Sequence, residues 1–318
     1  MWEIDKTYRN DLQEVFDRLL EKKEVLQNQR HLPAVALRKI RESLMIEWTY
    51  NSNSIEGNTL SLRETQMVLQ EDITIKGKSL REHFEAKNHE SAINHLYKLA
   101  EGTSSPLSSS ELLSLHGYIL RSIEDECAGR LRNGGVRISG ANFTPPNARK
   151  VPDLVEELIT FVKTNPEALN DIELATVFHH KFVWIHPFFD GNGRTVRLAM
   201  NLLLMRKGFP PAIILKNDHK KYYEALNQAN RGKYHKLMLL VSQALERTLN
   251  IYIGALPGSD YEYKEISDLV EEENMPYGQE YISLLARQGK IDAYKEGRNW
   301  LTTKEAVQQY IARRKRKR

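Results

Sequence analysis

The chain has 318 residues, 41% hydrophobic and 28% charged, with a mean hydropathy of −0.54. That composition describes a globular protein with ample core material, and no apolar run reaches the roughly 18 residues a membrane span needs. Forty-six basic against 42 acidic residues leave +4, but RRKRKR at the end carries six positive charges, so the pI of 8.9 reports a tail. Nucleic-acid binding across the whole surface is therefore not indicated. Cys127 is the single cysteine, which excludes an intrachain disulfide and multi-cysteine metal sites. With an N-terminus, MWEIDKTYRNDLQEVF, that does not read as a secretory signal, this predicts a reducing cytoplasm.

In chain order the sequence reads as helices. Capping-box starts stand at Ser61 with Glu64, Ser79 with Glu82, Ser108 with Glu111 and Thr302 with Glu305. ITIKGKSL (73–80) and VRISG (136–140) predict short hairpin edges. Leu112, Leu115, Tyr118 and Ile119, then Leu154, Leu158, Phe161 and Val162, return at helical steps, with Pro152 where a first turn tolerates proline. Leu174, Phe178, Phe182 and Ile185 form another apolar stripe, which Pro187 ends; a further helix is expected at about 194–206. The Ser-rich EGTSSPLSSS (101–110) and the Gly/Pro-rich GALPGSD (254–260) predict three parts: 1–100, 101–253 and 254–318.

The stretch that carries chemistry is 186–197, His-Pro-Phe-Phe-Asp-Gly-Asn-Gly-Arg-Thr-Val-Arg. His186 is expected at a helix end, pointing into the space its loop encloses. Gly191, Asn192 and Gly193 let backbone amides converge on an anion, and the next helix adds its positive N-terminus. Arg194 and Arg197 fall on one face of that helix, and Asp190 offers a carboxylate for Mg²⁺. A base, an anion cradle, two guanidinium groups and a metal ligand suit chemistry on a polyphosphate. Phe188 is expected in the core beneath the loop.

These twelve residues match every fixed position of the Fic motif, H-x-F-x-[D/E]-G-N-G-R-x-x-R, and the chain resembles that family. The resemblance implies a mainly helical Fic fold with a small β-hairpin flap, and transfer of AMP from ATP onto a Ser, Thr or Tyr hydroxyl of a protein target. AMP removal, phosphocholine transfer, or a DNA- or protein-binding regulator with a secondary Fic core are the alternatives. By resemblance, His186 is the general base and Asp190 holds Mg²⁺ bridging the α- and β-phosphates. Asn192 and the amides around Gly191 and Gly193 stabilise the α-phosphate; Arg194 holds the β/γ-phosphates and Arg197 the γ-phosphate. Gly129-Arg130-Leu131-Arg132 followed by Val136, Arg137, Ile138, Ser139 and Gly140 looks like the flap that aligns the target. Tyr222, Tyr223 and Asn230 resemble the segment that packs on the adenine, although either tyrosine also reads as a helix-packing aromatic. Ser52, Glu56 and Gly57 fit the inhibitory pattern [S/T]-x-x-x-E-[G/N], which implies that Glu56 reaches Arg197 and occupies the γ-phosphate position.

His83 and His89 read as solvated residues on a polar helix face, and His179-His180 as no metal set. The last part, with helices at 265–275 and 279–289 and a hairpin over 289–301, resembles a winged helix-turn-helix domain. Arg287, Lys290, Lys295, Arg298 and the tail would make a phosphate-contact set, so binding to DNA or to protein stays open, as does a homodimer.

Overall fold

The computed structural model describes residues 4–28, 33–101, 107–138, 143–257, 262–272 and 275–316. The elements run α1 (Arg9–Asn28), α2 (Ala34–Ile55), α3 (Leu62–Gln70), α4 (Leu80–Glu101), α5 (Ser109–Leu120), α6 (Val151–Thr164), α7 (Asp171–Ile185), α8 (Asn192–Arg206), α9 (His219–Ala229) and α10 (His235–Gly254). Then follow β1 (Lys264–Glu265), α11 (Ile266–Glu272), α12 (Gln279–Arg287), β2 (Ala293–Glu296), β3 (Asn299–Thr302) and α13 (Lys304–Arg316).

Local chemistry sets most helix ends. Ser61/Glu64 and Ser108/Glu111 form complete capping boxes on α3 and α5, and Ser79 and Glu82 bond reciprocally at the start of α4. A further box, Asn170/Glu173, starts α7. At the last helix the cap is Thr303, whose Oγ1 accepts from the Ala306 amide, rather than Thr302, which ends β3. Segment 73–80 forms no strand: the Ile75 amide donates to His83 Nε2, Gly77 turns with φ +81°, and Ser79 is already capping α4. Val136, Arg137 and Ile138 lack a ladder partner among the described residues, and Ser139 and Gly140 lie outside them. The hairpin expected over 289–301 is β2–β3, with Tyr294 opposite Leu301; β1 joins on the other side of β3, and all pairs are antiparallel.

Helices α7 and α8 pack together at the centre, enclosed by α2, α4, α5, α6 and α10. Both helices are buried on nearly every side, with Phe178, Phe182, Leu198 and Met200 in the apolar core and His179, His180, Arg194 and Arg197 as buried polar groups. One hydrophobic cluster runs from Ile4 to Tyr252, so residues on both sides of the Ser-rich connector share a core. A separate cluster, including Ile266, Leu269, Ile282, Leu285 and Val307, fills the C-terminal unit.

That unit is tied to the helical body through buried charge. Lys22 Nζ on α1 reaches Asp292 at 2.5 Å, Asn250 at 2.6 Å and Glu246 at 3.1 Å, while Arg18 pairs with Glu246 and donates to the Gly289 carbonyl. Burial opposes charge on Asp292, yet Lys22 and Arg18 hold its carboxyl below the ordinary range. Removing one member of such a network strands the others without water. Asp292→Ala should therefore lower stability by about 3 kcal/mol, read as a fall in the urea midpoint; an unchanged midpoint would show that the network is neutral.

Candidate active site

The loop between α7 and α8 is held from three sides. His186 terminates α7 in the left-handed conformation (φ 50°, ψ 62°), its amide bonded to the Phe182 carbonyl, so its ring leaves the helix where Pro187 stops further winding. Asn192 closes the loop: its Oδ1 accepts from the Phe188 amide and its Nδ2 donates to the Phe188 carbonyl, both at 2.9 Å. Beneath lies His116, stacked on buried Phe188 with centroids 3.6 Å apart. Its Nδ1 accepts from the Gly129 amide, so Nε2 carries the proton and donates to the Asp190 carbonyl at 3.0 Å. Gly191 turns with φ +72° and no side chain caps α8, which starts two residues before the expected position. The first amides of α8 thus face the loop as open donors.

Each charged side chain of the loop meets an opposite charge. Arg197, fully buried, donates from Nη1 to Glu56 Oε1 (2.8 Å), from Nε to Ser52 Oγ (3.0 Å) and from Nη2 to the Ser52 carbonyl (2.8 Å). Burial works against its charge, but Glu56 raises its pKa all the same. Glu56 caps the C-terminus of α2 and Gly57 follows with φ +100°, which lets the chain turn away. A Cβ at Gly193 would sit 2.0 Å from Glu56 Oε1, so only glycine admits the carboxylate there. Arg194 Nη1 lies 3.1 Å from Glu85, which also accepts from Asn58 just past Gly57. Asp190 Oδ2 is bonded to Arg81 at 2.6 Å, and its side chain is 39% exposed. A half-exposed carboxylate that already holds a cation is a fitting oxygen ligand for Mg²⁺.

The remaining expected residues surround this loop. Tyr222 is buried with its hydroxyl 3.0 Å from His179 Nε2, and Tyr223 sits beside it with rings at 5.4 Å; burial pushes the Tyr223 phenol up to about 12. Asn230 Oδ1 accepts from His180 Nε2, whose Nδ1 faces the Tyr234 hydroxyl. His83 and His89 are buried rather than solvated. His83 bridges Ser79 and Ile75, while His89 packs against Trp48 and contacts Thr49.

Four residues had no signal as site residues. Arg81, Glu85 and His116 were unread because isolated polar residues in amphipathic helices carry no spacing. Arg132, noted only within the flap resemblance, is buried and donates to the carbonyls of His186 (2.7 Å), Gly134 (2.9 Å) and Pro146 (2.6 Å). It joins the backbone at Gly134 and Pro146 to that of the loop histidine.

Burial is the main cause that brings the His186 imidazole down to about 4, with Arg132 acting in the same sense and Val183, Glu56 and Asp190 in the other. At neutral pH it is therefore a free base. A neutral base beside open amides, two arginines and a carboxylate can take a proton from a hydroxyl while an adjacent anion is held.

A helical protein built around a phosphate-type loop with its own base is the class that this fold and site define. The Fic/DOC family pattern matches residues 106–204. A protein adenylyltransferase Fic from Nematostella vectensis is 35% identical over 272 residues, covering 82% of this chain and 62% of its own. Another from Aedes aegypti is 31% identical over 286 residues, covering 90% and 56%. Fic-1 from C. elegans matches in structure with a TM-score of 0.69 and 30% identity, covering 76% of this chain and 72% of that one. A Fic domain containing signaling protein from Bacteroides thetaiotaomicron gives 0.65 at 25%, covering 76% and 98%. The chain belongs to the Fic/DOC family, and it spans 56–62% of the length of the two curated relatives.

The buried histidines predict an acid limit to stability. His116, His180 and His186 are brought to about 4 and His179 to about 3, mainly by burial, against 6.5 in an open chain. Between those values the unfolded chain binds more protons, so stability falls as pH drops from about 6.5 and the loss is complete near the folded values. Each histidine contributes up to about 1.4 kcal/mol per pH unit in that window. The urea midpoint should fall clearly from pH 7 to pH 5; a flat profile would contradict the buried, neutral assignment.

Proposed function

We propose that this chain is a protein adenylyltransferase restrained by its own Glu56. The reading is carried by one observation, the Glu56 carboxylate lying over Gly193 on Arg197, at the mouth of an otherwise open anion loop. The names of the relatives, protein adenylyltransferase Fic, support the same reaction.

His186 takes the proton of a Ser, Thr or Tyr hydroxyl on a target protein as that oxygen bonds to the α-phosphorus of ATP. The bond from the α-phosphorus to the bridging oxygen breaks and pyrophosphate leaves, while His186 holds the proton. Amides around Gly191 and Gly193 receive the charge that grows on the α-phosphate, that of Gly191 once it leaves Asp190 Oδ1, to which it donates at 2.6 Å, with Asn192 keeping the loop in shape through Phe188. Asp190 is the residue that would hold Mg²⁺, which supplies charge neutralisation on the phosphates; Arg81 must then leave Asp190 for its second partner, Glu124, 3.1 Å away. Arg194 and Arg197 serve the β- and γ-phosphates, Arg197 only when Glu56 withdraws. Tyr222, Tyr223 and Asn230 bound the adenine side, and the flap from Val136 through Gly140 guides the target.

The C-terminal unit, winged-helix-like in element order, is proposed as a protein-contact module rather than a DNA reader. Three of its cations are engaged with the helical body: Lys295 with Asp218 at 2.9 Å, Lys290 with the Asp11 carbonyl and Arg313 with Glu14. Exposed Leu80 and Phe84 at the start of α4 support a homodimer. No helix among the described residues is long and apolar enough to cross a membrane, and the lone Cys127 supports a reducing cytoplasm.

Labelling from α-³²P-ATP tests the reaction. Glu56→Gly should raise auto- and target labelling by orders of magnitude, and His186→Ala in that background should abolish it while ATP affinity stays within about tenfold, because base catalysis supplies about 10²–10⁴-fold and no phosphate binding. Equal labelling by wild type and Glu56→Gly would make Glu56 a structural cap. For the C-terminal unit, duplex DNA at low salt should give no shift; binding that weakens steeply with salt and with loss of RRKRKR would reverse that assignment.

A further inference from the structure

Between the helical body and the C-terminal unit lies a cavity of about 400 Å³, distinct from the loop that carries His186. Its apolar lining includes Ile214 from the chain before α9, Leu239 and Leu240 from α10, and Trp300 from β3. Arg287 of α12 lines it as an exposed cation; its Nε donates to the Ser283 carbonyl, and no acidic side chain among the described residues pairs with it. The buried lining residue is Arg247, 6% exposed. Its Nε donates to the Lys295 carbonyl (3.0 Å) and its Nη2 to Glu47 (2.8 Å), but Nη1 is buried without a hydrogen-bond partner.

We propose that this cavity binds a small amphipathic anion, an apolar body carrying one carboxylate, sulfonate or phosphate. The volume lies in the range of small-molecule sites, and such sites are largely apolar with a few placed polar groups. The Arg247 guanidinium stands in the wall of the cavity with its charge only partly matched, so an anion held there is attracted to it at short range in a partly dry setting. Arg287 adds a second positive charge, and the indole of Trp300 offers a face for the apolar part.

Occupancy of the site bears on α2. Arg247 holds Glu47, and the Lys216 amide, next to the lining segment, donates to Asn51 Oδ1 at 2.8 Å. Both acceptors stand on the helix that ends at Glu56. An anion in the cavity draws the Arg247 guanidinium toward itself and weakens its hold on Glu47, which loosens that helix, so the cavity serves as an effector site. This second step rests on the reading of Glu56 as an inhibitor; the binding step does not.

The probe is 1-anilinonaphthalene-8-sulfonate, an arylsulfonate whose fluorescence reports apolar surroundings, titrated into the full chain without ATP. One saturable site is expected. Leu240→Trp, which fills the cavity, should abolish it, and Arg287→Glu, on the exposed rim, should weaken it at least tenfold, with unchanged urea midpoints showing both variants folded. No saturable site in the wild type, or equal dye binding in wild type and both variants, overturns the proposal. Amide hydrogen exchange over residues 44–55 should quicken when the dye saturates the site. Binding without that change overturns the effector role alone, and the Glu56→Gly labelling experiment judges the inhibitory reading separately.

Discussion

The contact of Arg197 with Glu56 and Ser52 organises the rest of the molecule. A guanidinium buried in the centre of the helical body needs all its donors matched, and the C-terminal turn of α2 supplies a carboxylate, a hydroxyl and a carbonyl from residues four apart. Because the carboxylate stands on glycine at 193, any side chain at that position would displace it from Arg197. One interaction thus satisfies a buried charge, fixes the docking of α2 and covers the mouth of the anion loop.

The same balance recurs around the loop. Glu85 matches Arg194 and Arg81 matches Asp190, so the charges that a nucleotide and its metal would neutralise are neutralised within the chain. Glu85 also holds Asn58, next to the end of α2, and lies within 3.5 Å of Arg81. The three pairs therefore form one connected set across α2, α4 and α8. Displacing one partner leaves a charge whose neighbours must also adjust, which is the physical basis for coupling between the end of α2 and Asp190.

Beyond the loop, buried polar groups fix the shape of the site instead of taking part in proton transfer. His116 orients the Asp190 backbone, Arg132 grips four carbonyls, and His179 and His180 anchor Tyr222 and Asn230. Burial keeps the imidazoles neutral, and neutral imidazole can both donate and accept, which suits a connector between backbone groups. The C-terminal unit follows a similar rule on a larger scale, since Lys22, Arg18, Glu246 and Asp292 lock it to α1 and α10 through largely buried charges.

By itself the sequence determined much of what is local, though not the course of 73–80, where His83 and the Ser79 cap prevail over strand propensity. Capping boxes at Ser61 and Ser108, the break at Pro187, the turn at Gly191 and the twelve-residue loop follow from rotamer, backbone and hydrogen-bond preferences within a few residues, and the hairpin of β2 and β3 was equally legible. Ser52, Glu56 and Gly57 were visible as a pattern, but their distance from Arg197 was not. Only the tertiary structure decided that Arg81 would meet Asp190, that His89 would be buried on a helix whose face reads as polar, and that Lys290 and Lys295 would turn toward the body of the protein. Those outcomes depend on which elements pack together, and a pair such as Arg81 on α4 and Asp190 in the loop before α8, 109 residues apart, leaves no periodicity to announce it.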